Sequence, residues 1–252
     1  MVQPIVEVKG LVTKFGDQVV HDHLDFTLFE NEILGLVGGS GAGKSVLLRT
    51  ILGLIPIQEG TIRVRDGKES SSEYTHRNWG VMFQGGALFS GMTVLDNIAL
   101  PIRENFKMSE DDIQQLALKK LEMVGLNADA AHKIPSQLSG GMVKRAALAR
   151  AMALDPEILF LDEPTAGLDP IAAASFDELI KTLRDVFSLS VFIITHDLDT
   201  LTTLCDRIAM LVDKKITVGT LDDMMRSDHP WIREYFTGPR MRAVMQQGAH
   251  QG

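Results

Sequence analysis

The chain has 252 residues, 45% of them apolar and 23% charged, which is enough apolar material for one large domain or two modest ones and too much for a disordered polypeptide. A formal net charge of -8 and a pI of about 5.4, with Lys and Arg scattered, exclude a general electrostatic attraction to nucleic acid or anionic lipid. A single cysteine, Cys205, excludes an intramolecular disulfide and reads as a small buried apolar side chain in a reducing compartment.

The opening residues MVQPIVEVKG lack the charged start and apolar run of a secretory signal. No window approaches the ~20 apolar residues of a membrane-spanning helix, so any pore is expected to belong to another polypeptide. Ile5–Val8, Leu24–Leu28 and Ile33–Val37 are short apolar or alternating runs bounded by Gly, Asn and Asp, and each predicts a strand. His21 and His23 alternate, which places them on one face of a strand; without a third ligand nearby they read as structural residues rather than a metal site. Gly60–Gly67 predicts a further strand, followed by a polar loop over Glu69–Asn78 and a strand at Trp79–Phe83.

From Ser109 the pattern turns helical. Ser109 and Asp112 have capping-box spacing, Ile113, Leu116, Ala117, Leu121 and Val124 recur on one face, and Gly125 closes the run. A second helix is expected from just after Ser139 to Leu154. Ile158–Leu161 and Val191–Ile194 are unbroken apolar runs suited to central parallel strands, and Ala172–Val186 between them is long enough for a crossover helix. Arg207–Val212 predicts another strand, Trp231–Phe236 a short helix, and the final QQGAHQG a disordered end. The 12 methionines are scattered and read as core filler.

The strongest local signal is GGSGAGKS, Gly38 to Ser45, which matches the phosphate-loop pattern in full between an apolar strand and a helix-forming run. Glycines at 38, 39, 41 and 43 let the backbone fold round an anion without Cβ clashes. The expected nucleotide contacts are Gly38, Gly39, Ser40, Gly41, Ala42, Gly43, Lys44, Ser45 and Val46. Lys44 would neutralise β- and γ-phosphate oxygens, and the Ser45 hydroxyl would ligate Mg²⁺. The second signal, ILFLDEP, delivers Asp162 and Glu163 at a strand end, where such sheets bind ligands. Asp162 is the expected Mg²⁺ residue and Glu163 the expected general base, although adjacent acids also occur in plain surface turns. The third, LSGGM at Leu138–Met142, offers Ser139 as an N-cap and Gly140 and Gly141 as the opening of a second anion-binding helix terminus.

With GGSGAGKS, LSGGM, ILFLDEP, AGLD and the ITH ending at His196 in this order and spacing, the chain resembles the ABC ATPase family over essentially residues 5–236. The resemblance implies an α/β fold: a P-loop NTPase core of the ABC ATPase type with an N-terminal antiparallel β region and an inserted α-helical subdomain at about 86–155. The ATPase domain would span 1–238, with a tail at 239–252 that is partly disordered or packed on a partner. It implies ATP and Mg²⁺ as cofactors, and Phe15 stacked on adenine, an ordinary strand aromatic being the alternative. Gln84 would sense Mg²⁺ and the attacking water, Asp169 would couple two subunits, and His196 would reach the γ-phosphate. Ser139, Gly140 and Gly141 of one subunit would close on the ATP held by the other in a head-to-tail homodimer. Met142 departs from the family pattern, which usually has Gln there.

The stretch after Gln84, GGALFSGMTVLDNIALPI, and the segment His229–Ala243 resemble the ATPases of the phospholipid system for maintenance of outer-membrane lipid asymmetry. That implies an integral membrane permease, an MCE-domain lipid-binding subunit and a STAS-domain protein as partners, at the cytoplasmic side of the inner membrane. The alternatives are an ABC importer for another substrate and a non-transport ABC ATPase. Against the latter stand one set of motifs, no heptads between Lys44 and Ser139, and an acidic charge that disfavours a nucleic-acid partner.

Overall fold

The computed structural model describes residues 3–65, 68–69, 78–238 and 241, and the chain divides into two units, one made of 1–70 with 194–252 and one of 71–193. In the first unit, β1 (Pro4–Phe15) and β2 (Gln18–Phe29) form a long antiparallel hairpin that turns at Gly16, φ +57°. Both strands outrun the apolar stretches Ile5–Val8 and Leu24–Leu28. One face of this sheet is open, so polar residues such as Lys9, Lys14 and Gln18 are tolerated along the ladder. β4 (Glu59–Val64) pairs with β1, and β5 (Lys68–Glu69) with β4. Asp66 and Gly67 of the expected fourth strand, and residues 70–77 of the expected polar loop, lie outside the described residues.

The alternation of His21 and His23 fails in β2. His21 is buried and His23 is exposed with φ +52°, at a shift in register against β1. A left-handed residue in a bulge re-aims its own side chain, so the two imidazoles do not share a face.

β3 (Ile33–Gly38) is buried to its last residue and runs parallel to β9 (Arg207–Val212), which pairs on its other side with β10 (Lys215–Gly219). Around them lie α1 (Lys44–Ile51), α7 (Leu198–Thr203), α8 (Leu221–Met225) and α9 (Pro230–Thr237). Val37, Leu201, Met210, Met224, Ile232 and Phe236 form their common core, and Cys205 packs against it half-buried. A Cβ on Gly35 would lie 2.7 Å from the Cys205 Sγ, so the thiol fills space that only glycine leaves open.

The second unit carries β6 (Trp79–Met82) parallel to β7 (Ile158–Asp162), with β8 (Ser190–Ile194) beyond. The rings of Trp79, Phe160 and Phe192 follow one another across these strands at 4.9 and 5.9 Å. The helices are α2 (Val94–Asn105), α3 (Glu110–Met123), α4 (Ala128–Ala131), α5 (Gly140–Ala151) and α6 (Pro170–Phe187). Ser109 caps α3 by accepting from the Asp112 amide, and Gly125 at φ +74° follows its end. α2 has no counterpart among the sequence expectations; Thr93 caps it, and it continues through Pro101, a residue disfavoured in helix interiors, to Asn105. Among the described residues no helix is long and apolar enough to cross a membrane.

α5 is lined by Ala146, Ala147, Ala149 and Ala151, all buried, and this lets it approach β6 closely. A Cβ added to Gly80 of β6 would fall 2.4 Å from the Ala151 carbonyl oxygen. Backbone cannot yield as a flexible side chain can, so Gly80→Ala is expected to destabilise by about 1–3 kcal/mol, lowering Tm by roughly 2–10 °C. Gly91→Ala, where the added methyl meets nothing within 4 Å, should melt as the wild type in the same calorimetric scan.

Candidate functional site

In the first unit the phosphate loop starts where β3 ends. Gly43 is the N-cap of α1 with φ +99°, and a Cβ there would lie 2.6 Å from Val20 Cγ1 and 2.7 Å from His21 Nε2. Glycine is thus required by conformation and by space. The Lys44 ammonium folds back and donates to the carbonyls of Gly38 at 2.8 Å and Gly39 at 3.1 Å. Gly39, Ser40, Gly41 and Ser45 are exposed, and Gly38, Ala42 and Val46 are half-buried. A cleft of ≈ 370 Å³ opens beside the loop, lined among others by Val20, Ser40, Ala42, Lys214 and Trp231. Phe15 stands 51% exposed at the end of β1, one turn from Gln18–Val20 of the same cleft.

His196 is exposed, two residues beyond β8. The amide of Thr195 donates to the Leu36 carbonyl of β3 at 3.3 Å, which brings His196 to the loop end of that strand. The Tyr235 hydroxyl of α9 donates to the His196 carbonyl at 3.3 Å.

The loop also rests on His21, in the structural role expected of it. Its Nε2 lies 3.2 Å from the Gly43 carbonyl oxygen and its Nδ1 2.6 Å from Thr13 Oγ1. A carbonyl only accepts, so Nε2 carries the proton and Nδ1 accepts from the threonine hydroxyl. This is the neutral tautomer, and burial pushes the His21 pKa down to about 4.

In the second unit, β6 and β7 run parallel with Met82 opposite Leu161, so Gln84 and the pair Asp162–Glu163 emerge at the same strand ends. Gln84 is exposed; Gly85 and Gly86 follow at φ +79° and +84°. Arg150 of α5 holds that turn by donating to the carbonyls of Gly86 at 3.0 Å and Ala87 at 2.7 Å, and burial lowers its pKa. Asp162 is buried as the last residue of β7, and Glu163 is half-buried with φ +51°. A strand-end carboxylate and an exposed hydroxyl such as Ser45 are hard oxygen donors of the kind that suits Mg²⁺.

Ser139 caps α5, accepting from the Met142 amide at 3.3 Å, and leaves Ser139 and Gly140 exposed and Gly141 half-buried at the helix start. Asp169 caps α6, accepting from the Ala172 amide at 3.0 Å, so it has a local structural role. Lys144, buried on α5, donates to the Glu163 carbonyl at 3.0 Å. Burial lowers its pKa, and the nearby carboxylates of Glu163 and Asp162 oppose that shift. Lys144 and Arg150 were legible only as cations interrupting an alanine-rich helix.

Residues 21–166 match the ABC transporter family. The chain is 38% identical over 246 residues to the probable ribonucleotide transport ATP-binding protein mkl of Mycobacterium leprae, covering 95% of this chain and 70% of that protein. It is 38% identical over 245 residues to the intermembrane phospholipid transport system ATP-binding protein MlaF of Haemophilus influenzae, covering 94% and 92%. Its fold is similar to an ATP-binding cassette solved as a dimer in a post-hydrolysis state with ADP and Pi, at a TM-score of 0.78, 28% identity, and 86% and 98% coverage. It is also similar to cbiO1 of Clostridium perfringens, part of the ABC transporter complex cbiONQ, at a TM-score of 0.79, 26% identity, and 96% and 99% coverage.

The His21 pKa gives a signed prediction. The unfolded chain takes up this proton near pH 6.5 and the folded chain only near 4, so the stability it supplies is complete above 6.5 and is lost as pH falls toward 4. Denaturant titrations from pH 7 to pH 4.5 should show a loss of the order of 2–3 kcal/mol from this group. His21→Gln, which can still bridge Thr13 and Gly43 but does not titrate, should flatten that part of the profile. Equal slopes in the two proteins would refute the assignment.

Proposed function

Because the chain belongs to the ABC transporter family of ATP-binding proteins, we propose that this ABC-type ATPase drives a membrane permease from a homodimer, with Mg²⁺-ATP as its fuel and phospholipid as the cargo of the assembly. The observation that carries the nucleotide reading is the phosphate loop: a left-handed glycine cap, Lys44 folded over the loop and exposed Gly39, Ser40 and Gly41 ahead of a helix start. Gly38, Gly39, Ser40, Gly41, Ala42, Gly43 and Val46 cradle the phosphates in this reading, and Phe15 stacks on the base. Ser45, Gln84 and Asp162 hold Mg²⁺, which supplies charge neutralisation at the phosphate oxygens. Glu163 takes the proton of the attacking water, Gln84 orients that water, and His196 faces the γ-phosphate. Ser139, Gly140 and Gly141 receive the partner subunit's ATP, and Asp169 meets the partner across the dimer. The ATPase domain spans 1–238, its helical part about 86–155, and residues 239–252 form the tail.

Docking to a permease is supported by the segment after Gln84. Phe89 is 53% exposed, yet its loop is built rigidly around the buried Asn97. The Asn97 side chain accepts from the Phe89 amide at 2.7 Å and donates to the carbonyls of Phe89 at 3.1 Å and Thr93 at 2.9 Å. A fixed loop presenting an aromatic to solvent suits an anchor for a partner. The phospholipid reading is favoured over ribonucleotide transport because its match spans nearly the whole of both chains, whereas the mycobacterial protein extends further. MCE-domain and STAS-domain subunits, and a peripheral place on the cytoplasmic side of the inner membrane, belong to the same proposal.

Lys44→Ala is expected to raise the Kd for ATP at least tenfold, as loss of a charge-assisted contact does, and to abolish hydrolysis. Glu163→Gln should cut turnover by a factor of about 10²–10⁴ while retaining ATP in a dimer seen by size exclusion; normal turnover would remove Glu163 as the base. Purification of the full chain from membranes should recover a permease and a lipid-binding subunit. Recovery without any membrane protein would refute the transporter reading.

A further inference from the structure

The helix that opens with the signature residues carries one lysine into the interior of its unit. Lys144 lies one turn beyond Gly140, is 6% exposed, and donates to the main-chain carbonyl of Glu163 at 3.0 Å. Glu163 has φ +51°, a left-handed conformation that a non-glycine residue holds only when its surroundings impose it. An ammonium is costly to bury unless it is well bonded. Here burial depresses the Lys144 pKa while the Asp162 and Glu163 carboxylates favour the charged form. The acceptor is a carbonyl that also accepts from the Ala166 amide at 3.3 Å, so the two bonds together fix the peptide that follows Glu163, and with it the direction in which the Glu163 side chain leaves the backbone. Two other cations of the same helix clamp carbonyls elsewhere: Arg145 that of Val124 at 2.7 Å, and Arg150 those of Gly86 and Ala87. Lys144 alone among these three reaches the acidic strand end.

We propose that Lys144 is a positioning residue for Glu163, holding its left-handed turn and tying the direction of its carboxylate to the helix that begins at Ser139. This rests on the reading of Glu163 as the general base. Ser139, Gly140 and Gly141 sit at the start of the helix and Lys144 one turn on, a span over which an α-helix moves as a rigid piece. Engagement of a phosphate at that helix start is therefore transmitted, within one subunit, to the general base of the same subunit's own catalytic set.

The test uses the full chain. Lys144→Met, nearly isosteric but without a donor, should lower kcat for ATP hydrolysis at least tenfold, with KM for ATP and Tm close to wild type. Lys144→Gln, neutral but still a donor, should recover part of the loss. In a Glu163→Gln background, Lys144→Met should leave the ATP-dependent dimer intact, because the effect acts on hydrolysis and not on closure. A wild-type kcat in Lys144→Met beside an inactive Glu163→Gln would overturn the positioning role alone. Turnover in Glu163→Gln would instead overturn the reading of Glu163 beneath it. Loss of kcat and Tm together, with Lys144→Gln no better, would make Lys144 a structural brace and also overturn the inference. Loss of the trapped dimer would place its effect at the signature contact and do the same.

Discussion

A strand buried on both faces can carry no charge along its length, so it delivers its polar residues at its end. β3 is buried from Ile33 to Val37 and opens into the phosphate loop at Gly38. β7 is buried throughout and ends on Asp162, with Glu163 next. β8 is buried throughout and leads through Thr195 to the exposed His196. Backbone groups within these strands are taken up by the ladder, and apolar side chains fill both faces. Amides, carboxylates and an imidazole can then appear only where the ladder stops, which in parallel sheets is where ligands bind.

What holds those ends in shape is largely main chain bonded to cations and to one neutral imidazole. Lys44 clamps the carbonyls of Gly38 and Gly39, Arg150 those of Gly86 and Ala87, Lys144 that of Glu163, and His21 that of Gly43. Turns that leave a strand have carbonyls with no ladder partner, and such groups are costly to bury unpaired. A side chain bonded to the backbone of a turn constrains its shape while leaving the turn's own side chain outside that bond. Gln84 remains exposed and Glu163 only half-buried at turns held in this way.

The signature helix shows the same economy of parts. Ser139 accepts from the amide of Met142 and so shapes the helix start, while Gly140 presents backbone at the surface. Among the described residues no acidic side chain stands in the first turn to balance this exposed, positively polarised helix start. This fits a nucleotide that arrives from another subunit, as in the proposed homodimer. Met142 contributes its amide to the cap, and that contact is indifferent to its side chain.

The sequence by itself determined the family, the order of the motifs and the central strands, because each is written in contiguous residues. Unbroken apolar runs at Ile158–Leu161 and Val191–Ile194, Ser109 before a periodic helix and the eight residues of the phosphate loop need no distant partner to be read. The tertiary structure alone decided matters that depend on residues far apart in the chain. The lengths of β1 and β2 follow from a sheet with one open face, and α2 persists through Pro101. His23 leaves the face of His21 because the hairpin bulges. His21 supports Gly43, and Lys144 supports Glu163, across gaps in sequence that no local pattern spans. A motif tells which groups are present, but the burial and bonding that aim them come from side chains outside it, and those are fixed only when the chain has folded.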